Sequence, residues 1–195
     1  MRCLLKIFTI AAIFSMSFLG FADGTPRVLI KTELGDITVD IFEKDVPITA
    51  ANFLKYVDNK LFDGATFYRV VTMDNQPNNN VKIEVIQGGL GFGESEERFA
   101  PIEHETTVRT GIRHKDGVIS MARNEPGSAS SEIFICINDQ PELDFGGRRN
   151  PDGQGFAAFG KVIEGMEVVR KIQQQPAEGQ MLNPKINIYS ITRIE

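Results

Sequence analysis

The sequence predicts a mainly β fold, a closed β-barrel carrying helical caps. Two observations carry this prediction. Short strand-like segments recur along the whole chain, whereas only two stretches have helical spacing. A parallel α/β sheet would need a helix between most strands, and those helices are missing. A length of 195 residues favours one domain, and neither a repeat nor a linker interrupts it.

Residues 1–22 read as a secretory signal, leaving 23–195 as the folded domain. Arg2 and Lys6 supply the positive end, Ile7 to Phe21 is mostly apolar, and Gly20-Phe21-Ala22 suits cleavage. The apolar run falls short of the ~20 residues a membrane-spanning helix needs. The domain then carries 19 Lys+Arg against 26 Asp+Glu, a net charge of −7. That balance speaks against nucleic acid as a partner. Only Cys136 survives cleavage, so no internal disulfide forms and the fold relies on its core.

Val28 to Phe42 reads as a hairpin, with Ile37, Val39 and Ile41 alternating with Thr38 and Asp40 around a Gly35-Asp36 turn. A helix follows from about Pro47 to Asp58, with Ala50, Phe53, Leu54 and Val57 on one face. The next strand, Phe67-Tyr68-Arg69-Val70-Val71, holds one cation among apolar residues. Burying a guanidinium is costly unless it is hydrogen-bonded, so its presence calls for a reason. Residues 72–82 are polar and Asn-rich and read as an inserted loop. Residues 90–116 read as a long surface excursion, and 146–155 as a turn-rich loop. Strands are expected at Gly117–Arg123, Ile133–Ile137, Ala157–Val162 and Ile186–Ile194, with a second helix at Glu164–Gln173.

Alternation of strand side chains sorts these residues by face. Ile133, Ile135 and Ile137 share one face, which sends Glu132 and Phe134 to the other. Ile86 points inward with them, leaving Val85 and Gln87 outside, and Ala122 follows inward-facing Ile119 and Met121. If these strands are neighbours, Val85, Gln87, Ala122, Glu132 and Phe134 form a shallow apolar groove with polar edges on the barrel's outer surface.

Six segments, in order, resemble the cyclophilins, the β-barrel peptidyl-prolyl cis-trans isomerases. They are Val46 to Phe53, Phe67 to Val70, Ile86 to Gly89, Gly117 to Ala122, Phe134 to Cys136 and Phe159 to Val162. The resemblance implies an eight-stranded antiparallel barrel capped by two helices, with a proline-binding groove on its outer face. It implies an enzyme without a cofactor or metal, acting on proline-containing polypeptides or unfolded exported proteins. A monomer in the periplasm or secreted, free of nucleic acid and membrane after cleavage, is the expected form.

By the same resemblance Arg69 is the catalytic donor. Val85, Phe134 and Leu143 form the proline pocket, and Gln87 orients the arginine. Ala122 and Arg123 hold the substrate backbone, and Phe156 stands where the family has a histidine. The chain departs from the pattern at Glu84, where an aromatic is usual, and at Glu132, where a glutamine is usual. Glu132 is expected to pair with Arg69 and compete for its donors. Glu142 stands beside a missing aromatic, so cyclosporin binding is expected to be weak. Glu84 and Glu132 favour the alternative function, a proline-peptide-binding or chaperone module with weak or no turnover.

Other motifs have plainer readings. His104 and His114 lack the Gly-x-Ser-x-Gly elbow of a hydrolase. Glu103-His104-Glu105 reads as a surface charge cluster, Arg148-Arg149 as solvated turn charges and Cys136 as a small hydrophobe. The Gly88 to Gly93 stretch lacks the Lys-Ser/Thr of a phosphate loop.

Overall fold

The computed structural model describes residues 24–93 and 96–194. The signal segment, 1–22, lies outside the described residues. Among the described residues nine strands form: β1 (Arg27–Thr32), β2 (Gly35–Ile41), β3 (Thr66–Val71), β4 (Val85–Gly89), β5 (Val118–Met121), β6 (Ile133–Cys136), β7 (Ala157–Glu164), β8 (Ala177–Glu178) and β9 (Met181–Ile194). Helices are α1 (Pro47–Asp58), α2 (Thr107–Thr110) and α3 (Met166–Gln173).

Eight strands close a ring in the order β1-β2-β7-β5-β6-β4-β3-β9, with β9 returning to β1. Every pairing is antiparallel. Strand β8 is a two-residue extension paired only with the start of β9. The last strand begins five residues before the predicted Ile186, because it continues through Pro184. That proline falls between the stretches of β9 paired with β3, where no ladder donor is needed.

Alternating residues such as Ile30, Ile37, Phe67, Ile86, Ile135 and Phe159 fill the barrel and are fully buried. Helix α1 buries Phe53, Leu54 and Val57 against it, and α3 buries Val168, Val169 and Ile172. A separate, smaller apolar cluster lies outside the barrel wall: Val71, Ile83, Val85, Phe134, Cys136 and Leu143, with Ala122 and Phe156 packed on it. Cys136 is thus a packed hydrophobe, and burial raises its thiol pKa well above the ordinary value.

Residues 90–116 are more than a surface excursion. Glu105 is buried and receives hydrogen bonds from the Thr49 amide (2.7 Å) and hydroxyl (2.8 Å). Thr49 lies in the first turn of α1, whose N-cap, Val46, has no capping side chain. A carboxylate from elsewhere in the chain therefore satisfies an open helix N–H and sits at the positive end of the helix dipole. The expected surface cluster splits accordingly: Glu103 pairs with exposed Arg109, while Glu105 is structural. The sequence could not distinguish them, because the cap and the helix are 56 residues apart.

Further along the same segment, buried His114 supports the outer cluster. Its ring stacks on Phe134 with centroids 5.9 Å apart. Asp144 Oδ1 accepts from the His114 amide (3.0 Å) and lies 2.8 Å from its ring Nδ1, while Nε2 lies 3.0 Å from Ser120 Oγ. Burial alone would raise the Asp144 pKa, but hydrogen bonds from the His114 ring and amide outweigh it and leave the pKa below the ordinary value. Ser120 is fully buried, and this serine, histidine and aspartate brace the barrel wall behind Phe134.

Glu105→Ala leaves the Thr49 donors buried without a partner and is expected to cost about 1–3 kcal/mol, measured by urea unfolding. The depressed Asp144 pKa stabilises the fold fully above the ordinary value of 3.8, and this contribution is lost as pH falls through the folded value. Asp144→Asn is expected to be less stable than the parent near neutral pH. Its stability should fall less steeply than the parent's on acidification from about pH 5 to about pH 2, read from the same unfolding curves.

Candidate functional site

Strict alternation in β3 would place Arg69 on the same face as Phe67, inside the barrel. A β-bulge prevents this. Phe67 pairs with Gly88 and Arg69 with Gln87, which leaves Tyr68 as an extra residue. Phe67 and Val70 stay in the core, while Tyr68 and Arg69 both reach the outer face. The opposing glycines make room. A Cβ at Gly88 would lie 2.7 Å from the Phe67 ring, and one at Gly89 would lie 2.6 Å from the Ser131 carbonyl. Gly89 also has φ +140°, which L side chains rarely adopt.

Two elements hold the half-buried guanidinium of Arg69. Nη1 donates to Gln87 Oε1 on β4 at 2.7 Å. Nε and Nη2 both donate to Gln180 Oε1, at 3.0 and 2.6 Å, from the turn between β8 and β9. Gln180 is held in turn by the inserted loop, because its Nε2 donates to the Asn75 carbonyl. Asn75 itself donates to the Val70 and Gly179 carbonyls. Burial lowers the Arg69 pKa from its ordinary value, yet a guanidinium remains charged.

Glu132 does not pair with Arg69, contrary to the sequence expectation. Its Oε2 accepts from the Tyr68 hydroxyl at 2.6 Å, and its Oε1 accepts from Arg98, Ser131 and the Gly91 amide. The expectation placed Glu132 and Arg69 on one face without counting Tyr68, which the bulge keeps beside Arg69 on that face and which takes the carboxylate. Burial first, then the charge and hydrogen bond of Glu132, push the Tyr68 pKa far up, so its proton stays in place. That proton is committed to a carboxylate that can only accept. The Tyr68 oxygen is left with lone pairs, and Gln87 must turn its NH₂ toward it (2.9 Å). The Gln87 carbonyl then faces Arg69. Glu132 thus orients Arg69 through Tyr68 and Gln87 and takes none of its donors.

The strands expected to be neighbours are neighbours. Arg69 pairs with Gln87, Gln87 with Phe134, and Phe134 with Ser120, a single row across β3, β4, β6 and β5. A cavity of about 250 Å³ opens over this row. Arg69, Val85, Gln87, Ala122, Arg123, Phe134, Leu143 and Phe156 all line it. Glu132 lines an adjoining cavity of about 270 Å³ that shares Gln87, Ala122 and Arg123. The floor is apolar: Phe156 meets Phe134 edge-on at 5.3 Å, and Ile83 joins Val85 and Leu143. Ile83 therefore completes the wall where Glu84 stands in place of an aromatic, and Glu84 itself turns away to Asn138 (2.9 Å).

The Arg123 side chain pins a loop. Its Nη1 and Nη2 donate to Asp152 at 2.8 and 3.0 Å and its Nε to the Gly155 carbonyl at 2.9 Å, with the guanidinium 5.2 Å from the Phe156 centroid. The hydrogen bond from Arg123 lowers the Asp152 pKa to about 2, so the clamp persists at any ordinary pH. Of the two arginines read as solvated turn charges, only Arg148 is exposed, bound to Glu142 at 2.6 Å. Arg149 is half-buried and faces the cavity. Sequence reasoning also missed Tyr68, Gln180 and Phe92. The Phe92 ring packs on Tyr68 at 4.8 Å and borders both cavities. Only Phe92 carried a local signal, an aromatic within a glycine-rich loop.

A family model of cyclophilin-type peptidyl-prolyl cis-trans isomerases matches residues 27–193. The chain is 34% identical over 181 residues to peptidyl-prolyl cis-trans isomerase A of Dickeya dadantii, covering 91% of this chain and 86% of that one. It is 38% identical over 153 residues to a peptidyl-prolyl cis-trans isomerase of Acinetobacter baylyi, covering 76% of this chain and 72% of the other. In fold it is similar to a cyclophilin-type isomerase of Cryptosporidium parvum, crystallised in the presence of the dipeptide Ala-Pro. That match has a TM-score of 0.69 at 22% identity and covers 87% of this chain and 99% of the other. The closed barrel, the segment order and these relatives together make the chain a member of the cyclophilin-type peptidyl-prolyl cis-trans isomerases.

Proposed function

We propose that Arg69 carries the isomerisation, acting on X–Pro bonds of exported polypeptides during their folding. One observation supports this most directly. A guanidinium without a carboxylate partner among the described residues stands beside an apolar cavity, held by two glutamine carbonyls. Rotation of a peptide bond meets a barrier of ~18–20 kcal/mol from amide resonance. As the amide twists, the prolyl nitrogen becomes pyramidal and gains a lone pair. A donor fixed in advance toward that nitrogen stabilises the twisted form and neither planar one. The ring of the proline would sit on Phe134, Val85, Leu143 and Ile83, and no nucleophile or transferred proton is required.

The binding-module alternative loses its two supporting features. Glu84 is bonded to Asn138, and Glu132 leaves the Arg69 donors alone. Export rests on the Arg2 and Lys6 end, the apolar run and the small residue Ala22. A monomer fits a barrel whose eight ring strands are all paired within the chain. Weak cyclosporin binding fits Glu142, which stands beside the missing aromatic and is engaged by Arg148. Sedimentation of the purified protein and a cyclosporin inhibition curve check these two points; a dimer or tight inhibition would contradict them.

Exchange of neutral X–Pro peptides, followed by NMR, tests the mechanism. Arg69→Ala is expected to lose about 10²–10³-fold in kcat, as for removal of one transition-state donor, with folding intact. Tyr68→Phe frees the Gln87 amide to flip and is expected to lower kcat by roughly fivefold, about 1 kcal/mol, with little change in KM. Equal kcat in the parent and Arg69→Ala would remove Arg69 from the mechanism. The intact mass of protein recovered from the exported fraction is expected to begin at Asp23; retention of residues 1–22 would contradict export.

A further inference from the structure

Among the described residues, arginine is the only charged residue type lining the cavity over Phe134. Arg69, Arg123 and Arg149 line it, and among the described residues no aspartate or glutamate does, in a chain of net charge −5. Arg123 is neutralised by Asp152. The other two are bound only to neutral groups among the described residues. Arg69 donates to Gln87 and Gln180, and Arg149 Nη1 donates to Gln76 Oε1 (2.8 Å) and the Val81 carbonyl (2.7 Å).

Arg149 is held as deliberately as Arg69. Gln76 is buried, and its amide bridges the Thr72 and Ile83 carbonyls at 2.7 and 2.8 Å. The inserted loop 72–82 therefore fixes Arg149 through Gln76 and Val81, and fixes Gln180 through Asn75. Burial, and then the like charge of Arg69, lower the Arg149 pKa from its ordinary value. Two partly desolvated cations facing one cavity repel each other, and an anion entering the cavity relieves both. Arg149 also lines an adjoining hollow together with Gln180, Asn75 and Pro77, so that the groove continues toward loop 72–82. At the other end of the groove, Arg98 is already paired with Glu132.

We infer that this isomerase selects prolyl segments bearing an acidic side chain next to the proline, on the flank that runs toward loop 72–82, and that Arg149 is the residue that recognises it. The inference rests on the groove being the X–Pro site. It adds a specificity determinant to that site, with Arg149 reading the carboxylate and Arg69 left to the amide nitrogen.

The test uses four peptides of one sequence, with Glu or Gln placed immediately before or immediately after the proline. Catalysed exchange and peptide affinity are both measured by NMR at low salt. At one flank the Glu peptide is expected to exceed its Gln counterpart about tenfold in kcat/KM and in affinity, the scale of a charge-assisted hydrogen bond. Arg149→Gln should bring that ratio to about one, Arg149→Lys should keep it above one, and added salt should reduce it. A ratio near one at both flanks, or a ratio unchanged in Arg149→Gln, overturns the inference. A C-terminal carboxylate beyond proline that is preferred over its amide, with no side-chain preference, also overturns it. If the Gln peptides bind without turnover, the isomerase mechanism fails, and the affinity ratio still decides the charge preference.

Discussion

A guanidinium set into the face of a sheet must have its donors occupied without being neutralised. That constraint organises the outer surface of this barrel. A carboxylate would satisfy Arg69 most cheaply, yet it would hold the donors that the proposed chemistry needs. The chain uses amide carbonyls instead, Gln87 from β4 and Gln180 from the β8–β9 turn. An amide can present either end, so its orientation has to be fixed. Gln87 is fixed by Tyr68, and Tyr68 by Glu132, the first group in the chain with only one possible role, that of acceptor. Gln180 is fixed by the Asn75 carbonyl, which only accepts from its NH₂. Each glutamine thereby turns its oxygen to the arginine.

The bulge at Tyr68 is what allows this arrangement. It brings two consecutive side chains of β3 to the same face, one to carry charge and one to carry the orienting hydroxyl. The facing Gly88 and Gly89 are required by the same feature, since a methyl group at either would strike the strand or carbonyl beside it. Fold and site are linked here at the level of single atoms. The main core needs Phe67 and Val70 inward, and the groove needs Tyr68 and Arg69 outward, and one extra residue reconciles them.

The barrel was legible in the sequence because period-2 alternation and helical spacing are local signals, and α1 follows its predicted limits from Pro47 to Asp58. Parity also located the apolar groove, because β4, β6 and β5 pair without a shift along the row Gln87–Phe134–Ser120. It failed where the contact partners are distant. The expected Glu132–Arg69 pair fails because Tyr68 shares the groove face and takes the carboxylate, and a bulge leaves no mark in the composition of β3. Gln180 lies 111 residues from Arg69, and Gln76 lies 73 from Arg149. Both sit in polar turns whose sequences give no indication of what the side chains meet. Charge misled in the same way: Arg148 and Arg149 are adjacent, yet one is solvated and the other faces the cavity, a difference set by the insertion and not by either residue.

The insertion then has a physical purpose that its composition conceals. Loop 72–82 has no apolar core of its own, and its order comes from the side-chain amides of Asn75 and Gln76. Each of these residues is one step from a guanidinium, Asn75 from Arg69 through Gln180 and Gln76 from Arg149 directly. Keeping carboxylates away from Arg69 protects its donors, and it also leaves local positive charge uncompensated. A second cation in the same place makes that imbalance larger. It is tolerable in the free protein because both guanidiniums have neutral partners and partial solvent. Under the proposed mechanism it becomes an asset when a bound chain brings its own carboxylate: the requirement that would keep Arg69 available for the amide nitrogen would also give the groove its choice of substrate.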